Sequence, residues 1–283
     1  MAREPFDPAL FDRVDASETP RAYVELLDYI RMRPNAQRVR TWSEERLELG
    51  PGDRLLDVGC GTGDDLIALS THVSPDGAAV GIDVSETLIA EARRRTTSVP
   101  AACIVRGVAE RLPFRDGVFA GCRTERVLLH VADPALAVRE IARVLEPAGR
   151  VTIVEPDFGA WFVDSVDHEI DALIVRLVNR QRQPSVGRTL RRLLRAAGLV
   201  DVELTGHLAV YDGVPGGVSL ASIVERLVEA DAIGRTRADR YLASLATGHR
   251  ESVLFSAVPI LWAFARKPTE DGDLGRSGDK STR

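Results

Sequence analysis

The sequence predicts an α/β protein whose mostly parallel sheet is covered by helices on both faces. Three observations predict it. The run Leu55-Leu56-Asp57-Val58-Gly59-Cys60-Gly61-Thr62-Gly63-Asp64-Asp65 is an apolar strand that passes straight into a glycine turn and then a helix start. Short apolar strands then recur with helical stretches between them, the rhythm of repeated β-α-β units with right-handed crossovers. Finally, 283 residues at 45% hydrophobic composition can bury one substantial core, with or without a helical subdomain, so one elaborated domain is expected.

The elements follow in order. Tyr23, Leu26, Leu27 and Ile30 fall at helical spacing, and a second helical stretch runs from about Val39 to Leu49 before Gly50-Pro51-Gly52 stops it. Residues 1–50 thus read as a helical cover over the glycine loop. Strands are expected at Leu55–Val58, Ala78–Val84, Ala102–Arg106, Val118–Arg123 and Arg150–Glu155, with helices near 64–73, 86–95 and 134–146. The pattern loosens over 158–186, where a helical run surrounds Ile170 to Val178, and a further helix is expected from Gly187 to Ala197. Val200–Thr205 and Phe255–Ala265 read as the last two strands, separated by a variable segment, 207–252, that is helical over about 214–248. Its stripe Leu220, Ile223, Val224, Leu227, Val228 reads as core packing, and a homodimer face remains open. Residues 267–283 carry one apolar side chain and are expected to be a disordered tail.

The glycine turn carries the chemistry. Glycines at 59, 61 and 63 let a ligand lie against the main chain, and the helix beginning at Asp64 aims its free amides at the same place. A dinucleotide-binding turn, G-x-G-x-x-G, would need its third glycine at position 64, where this chain has an aspartate. That charge disfavours a pyrophosphate and favours a cationic or zwitterionic ligand. Asp83, twenty residues past Gly63 at the end of the second strand, stands where a carboxylate accepts two ribose hydroxyls. Ser85 is the better candidate for the helix cap beside it.

Four more segments follow in order: Gly81-Ile82-Asp83-Val84-Ser85, Gly107-Val108-Ala109-Glu110-Arg111-Leu112-Pro113-Phe114, Val127-Leu128-Leu129-His130-Val131-Ala132-Asp133-Pro134, and Arg143-Val144-Leu145-Glu146-Pro147-Ala148-Gly149-Arg150. With the turn, they make residues 35–158 resemble the class I S-adenosylmethionine-dependent methyltransferases, in the small-molecule branch related to the ubiquinone and menaquinone enzymes. The resemblance implies a Rossmann-like, seven-stranded sheet closed by an antiparallel last strand. It implies S-adenosyl-L-methionine as cofactor and S-adenosyl-L-homocysteine as product, in a methyltransferase domain over residues 51–266 with insertions at about 158–186 and 207–252. By the same resemblance, Gly59 and Gly61 hold the amino-acid part of the cofactor, Asp57 anchors the turn, Asp83 and Val84 take the ribose and one face of the base, and Arg123 and Thr124 approach the methionine end.

Two positions depart from the family pattern. Relatives carry Gly-Asp-Ala where this chain has Gly107-Val108-Ala109, so Val108 replaces the acid that meets the adenine amino group; the Ala109 amide or the Glu110 side chain is left to compensate, with Val84 and Val108 sandwiching the base. Phe119-Ala120 stands where relatives have Phe-Asp.

His130 and Glu155 are the candidate catalytic groups. An imidazole with an ordinary pKa near ~6.5 suits a general base, and a carboxylate at the end of the fifth strand suits a hydroxyl-bearing acceptor. Glu155 also reads as a loop cap, and His130 as a structural or cofactor contact. Tyr23, Trp42, Trp161, Phe162 and Tyr211 are the aromatic candidates for a dry methyl-transfer chamber. The expected reaction is O- or C-methylation of a small secondary-metabolite- or quinone-like molecule. A non-methylating cofactor binder of the same fold, a biosynthetic cyclase or a regulatory protein, is the alternative.

Charge and composition exclude other classes. A net charge of −5 with interspersed signs offers no track for a phosphate backbone, so nucleic acid is not an expected substrate. Cys60, Cys103 and Cys122 lack zinc or disulfide spacing, so no metal is expected. No window approaches the ~20 apolar residues of a membrane span, and the first residues lack a signal-peptide core; a cytoplasmic, soluble protein is expected.

Overall fold

The computed structural model describes residues 11–179, 181–211, 220–251 and 255–269. A short 3-10 helix, Phe11–Ala16, leads into α1 (Pro20–Arg31) and α2 (Pro34–Leu47), each with proline in the first turn, where its missing N–H leaves no bond unmade. The alternating part follows: β1 (Arg54–Val58), α3 (Asp64–Val73), β2 (Ala78–Asp83), α4 (Glu86–Thr96), β3 (Ala102–Arg106), β4 (Phe119–Glu125), α5 (Pro134–Val144) and β5 (Leu145–Pro156). Beyond it lie β6 (Phe162–Val163), α6 (His168–Val178), α7 (Leu190–Ala196), β7 (Val200–Tyr211), α8 (Leu220–Glu229), α9 (Arg235–Arg250) and β8 (Ser256–Arg266).

The sheet runs β3-β2-β1-β4-β5-β8, parallel through β5 and antiparallel at β8, with β7 antiparallel on the far side of β8. Among the described residues it has eight strands, where seven are expected. Phe162 and Val163 pair with Ala257 and Ser256, continuing along β8 the line that β5 leaves at Pro156. Two residues carry no periodicity, which is why this strand is silent in the sequence. The segment expected to be helical over 214–248 is two helices, α8 and α9, separated by 230–234; residues 214–219 and 270–283 lie outside the described residues.

Strand order reverses between β1 and β4, and this sets the position of the site, because the crevice beyond the carboxyl ends of strands opens at such a reversal. Alternation along β1 feeds two cores. Leu55 packs with Leu47, Leu66, Leu69 and Val73, whereas Leu56 faces the opposite layer with Val138, Ile141 and Leu190. A third cluster joins Ile170, Ile174, Val224, Leu227 and Tyr241 to Val258 and Trp262 of β8, so the α8 stripe is core. Helix starts explain themselves locally: Ser85 Oγ accepts from Leu88 N at 3.2 Å, and Asp133 Oδ1 accepts from Leu136 N at 2.9 Å. α3, like α1, α2 and α7, starts without such a bond. Its N-cap is Gly63, with no side-chain cap, and its first turn faces the crevice.

Candidate functional site

A cavity of about 1340 Å³ opens over the ends of β1, β2 and β4. Ligand pockets for one drug-sized molecule run to roughly 300–1,000 Å³. There is room here for two small molecules side by side.

One end of the cavity is the glycine turn. Gly59 has φ +74°, and a Cβ there would stand 2.2 Å from Val127 Cγ2; Gly61 has φ +52° beneath Leu27 of α1. Ile82 O receives the amides of Gly59 at 2.7 Å and Cys60 at 3.1 Å, which ties the turn to β2. Asp83 ties it again: Oδ2 accepts from Gly61 N at 2.9 Å and Oδ1 from Ser85 N at 3.0 Å. Burial raises the Asp83 pKa against those bonds, and each oxygen keeps a lone pair for a further donor. Val84 and Val108 are 43% and 40% exposed, both on the cavity wall, so two apolar side chains flank the place beside Asp83. Ala109 and Glu110 also line it. Glu110, however, turns away to the loop after β4, where Oε1 accepts from Ala132 N at 2.9 Å. Ala120 is not among the cavity residues, so the second departure from the family pattern lies in the sheet.

The acids of this end are matched by arginines. Arg123, 3% exposed, reaches Asp57 at 3.3 Å, Asp65 at 2.8 Å and Glu125 at 2.5 Å. Burial pushes Asp57 up to about 7 even beside that guanidinium. Burial acts on Asp65 in the same sense, but Arg123 and Arg40 outweigh it and hold its carboxyl below the usual range. Asp64 is paired with Arg95 at 2.6 Å, so the charge at the place a pyrophosphate would need is largely neutralised. The aspartate expected there from the sequence is present, and its charge is met by Arg95 and Arg31.

Three further expectations need correction. Arg123 lies on the cavity wall, but its guanidinium is spent on the three carboxylates; it organises the turn. Thr124 is fully buried and off the cavity, because β4 alternates and its side chain takes the other face. Glu155 is likewise fully buried and off the cavity: Oε1 accepts from Val127 N at 2.9 Å and Leu128 N at 2.7 Å, so it caps the loop that carries Val127. His130 does reach the wall, against Phe11 at 5.5 Å between ring centroids. Burial lowers its pKa to about 4, which makes it a poor proton acceptor at neutral pH. Of the five aromatic candidates, Trp161 and Tyr211 line the cavity; Tyr23 and Trp42 pack inside, and Phe162 faces Phe255.

Glu155 makes a test of this burial. Its pKa is raised to about 8 by desolvation, against the pull of the backbone amides, while the unfolded value is near 4.5. The folded form therefore holds a proton over that interval that the unfolded form gives up, so stability falls as pH rises from about 4.5 through about 8. Glu155→Gln, which mimics the protonated group, should match the wild type in urea unfolding at the acid end and exceed it at the alkaline end. A parallel pair of pH profiles would refute the assignment.

Sequence reasoning missed the far wall. Tyr29 from α1, Arg33 from the turn between α1 and α2, His207 from β7 and Arg226 from α8 line it, brought together by the antiparallel strands and the helices over them. Their spacing in sequence gives no signal.

Comparisons with known proteins agree with this geometry. A family model described as a methyltransferase domain matches residues 56–153. An uncharacterised 37.1 kDa protein in transposon TN4556 of Streptomyces fradiae is 36% identical over 244 residues, covering 84% of this chain and 70% of that protein. The demethylmenaquinone methyltransferase of Symbiobacterium thermophilum is 39% identical over 108 residues, which are 37% of this chain and 43% of that enzyme. The chain thus spans less than half the length of that relative. Among solved structures, the Haemonchus contortus phosphoethanolamine N-methyltransferase 2 in complex with phosphomonomethylethanolamine and S-adenosylhomocysteine superposes with a TM-score of 0.60 at 15% identity, over 91% of this chain and 60% of that one. The YcgJ protein of Bacillus subtilis gives 0.56 at 19% identity, over 82% of this chain and 99% of that one. At such identities the likeness concerns the fold.

Proposed function

Because the chain belongs to the class I S-adenosylmethionine-dependent methyltransferases, we propose that it transfers a methyl group to oxygen or carbon of a small organic acceptor held in the far half of its cavity. The observation that carries this reading is that the glycine turn and Asp83 line one cavity of about 1340 Å³, which has room for a second small molecule beside the cofactor. The residues present fit the cofactor: the turn leaves no space for a Cβ at Gly59, Asp83 keeps unused lone pairs, and the α3 amides are uncapped.

In this reading Gly59 and Gly61 lie against the amino-acid end, Asp57 sets the turn, Asp83 accepts from the ribose hydroxyls, and Val84, Val108 and Ala109 form the base pocket. When bound, the sulfonium of the cofactor supplies a methyl that is already electrophilic. The chain then has to hold the acceptor in line and keep water out; such placement is worth roughly 7–11 kcal/mol in favourable cases. Trp161, Tyr211 and Ile223 supply an apolar wall for that purpose. Glu155 lies off the cavity, burial disfavours the charged form of His130 on its wall, and an acceptor that enters ionised needs no base. The demethylmenaquinone methyltransferase similarity favours a ring-bearing acceptor.

Two measurements test the proposal. Incubation with methyl-labelled S-adenosylmethionine and a panel of phenols, quinols and carbon acids should place label in the small-molecule fraction; label in protein or nucleic acid instead would overturn it. Asp83→Ala should weaken S-adenosylhomocysteine at least about tenfold, about 1.4 kcal/mol, through loss of charge-assisted bonds. Unchanged affinity in a folded variant removes Asp83 from the site.

A further inference from the structure

Among the described residues, the acids that line the cavity are already partnered. Acidic side chains stand at the cofactor end, and each has its partner: Asp57, Asp65 and Glu125 share Arg123, Asp64 has Arg95, and Asp83 and Glu110 hold backbone amides. Asp12, at the same end, has Arg182 at 2.9 Å. The wall formed by β7, α8 and the turn between α1 and α2 carries Arg33 and Arg226, and among the described residues no acid from those segments lines the cavity. Arg33 has no acidic partner among the described residues; its guanidinium lies 4.9 Å from the Tyr29 ring centre and 5.8 Å from that of Tyr211.

Arg126 stands between the two ends. Its φ of +56° is a left-handed conformation that a long side chain adopts only where the surroundings impose it, and such strain gathers at functional positions. One arm of its guanidinium reaches Glu125 at 2.8 Å, and that carboxylate is already shared with Arg123. On the same wall, buried Trp161 has its Nε1 without a partner, and both ring nitrogens of His207 are buried and unpartnered. Polar atoms so placed cost free energy unless a ligand meets them.

Resting on the methyltransferase reading above, we propose that the acceptor is an aromatic molecule carrying an anionic oxygen, a carboxylate or an acidic ring hydroxyl, which Arg33 and Arg126 hold while its ring lies against Tyr211 and Trp161. A planar guanidinium suits a carboxylate in two-pronged fashion, and an aromatic wall accommodates the ring.

Equilibrium dialysis of the full chain, with and without S-adenosylhomocysteine, reads this directly. The probes are 2-naphthoate against 2-naphthamide for a carboxylate, and 4-nitrophenol against 4-nitroanisole for an acidic hydroxyl. At least one anionic probe should bind about tenfold or more tightly than its neutral counterpart, and Arg33→Gln and Arg126→Gln should each remove most of that preference. Preference in the first pair alone assigns a carboxylate, and in the second alone an acidic hydroxyl. Equal binding within both pairs, or a preference that survives both substitutions in folded variants, overturns the proposal. Failure of S-adenosylhomocysteine to bind strikes the cofactor reading separately, because the charge preference is also measured on the free protein.

Discussion

Arg123→Leu is expected to lower the stability of the fold by about 3–5 kcal/mol, the loss typical of removing one partner from a buried ionic cluster. Arg123 is the shared counter-charge of Asp57, Asp65 and Glu125, and its side chain lies between β1 and α3 with almost no exposure. Without it, Asp57 loses a guanidinium 3.3 Å away although burial already pushes its pKa up to about 7. Removing the cation raises the folded-state pKa of Asp57 further and takes from Asp65 one of the two guanidiniums that hold its carboxyl down. A raised folded value means stability that is intact in acid and lost as pH climbs through it, so in urea unfolding the deficit of the variant should widen as pH climbs above about 7, where Asp57 of the wild type gives up its proton and that of the variant does not. Arg123→Lys should recover part of the loss, because a point charge replaces the fork that reaches three acids. A leucine variant as stable as the wild type across that range would show that the cluster contributes no net stability.

Gly59→Ala should cost at least about a hundredfold in S-adenosylhomocysteine affinity, about 2.7 kcal/mol. Two causes act together. A Cβ would meet Val127 Cγ2 at 2.2 Å, and alanine at φ +74° carries the left-handed penalty that glycine escapes. Since Gly59 N and Cys60 N both bond Ile82 O, displacing the turn also disturbs the position of Asp83 at the end of β2. Adding Val127→Ala removes the clash and leaves the backbone penalty, so the double variant should regain part of the affinity. If the single variant binds as the parent does, the turn is not the cofactor cradle.

What was legible in the sequence is what local chemistry writes. The strand, glycine turn and helix over 55–65, the acid at Asp83 and the cap at Ser85 are contiguous signals, each enforced by backbone conformation or a bond within a few residues. Less legible were roles fixed by long-range partners. Glu155 reads equally as a base or a cap until the Val127 and Leu128 amides are seen to arrive from 27 or 28 positions earlier in the chain. Thr124 and Arg123 are neighbours on β4, yet only one of them faces the cavity, because the strand alternates and the register with β1 decides which. The far wall is the extreme case. Arg33, His207 and Arg226 come from three separated segments, and only the antiparallel return of β7 and β8 with the helices over them makes them neighbours of one space.

The central claim is that the glycine turn and Asp83 bind S-adenosylmethionine, and calorimetric titration of the purified, cofactor-free protein with S-adenosylmethionine and S-adenosylhomocysteine, with NAD alongside, tests it most directly. Micromolar binding of the first two, a free energy of about −8 kcal/mol, with no heat from NAD, is the predicted result. Absence of binding by both methionine-derived ligands, or an equal response to NAD, would contradict it.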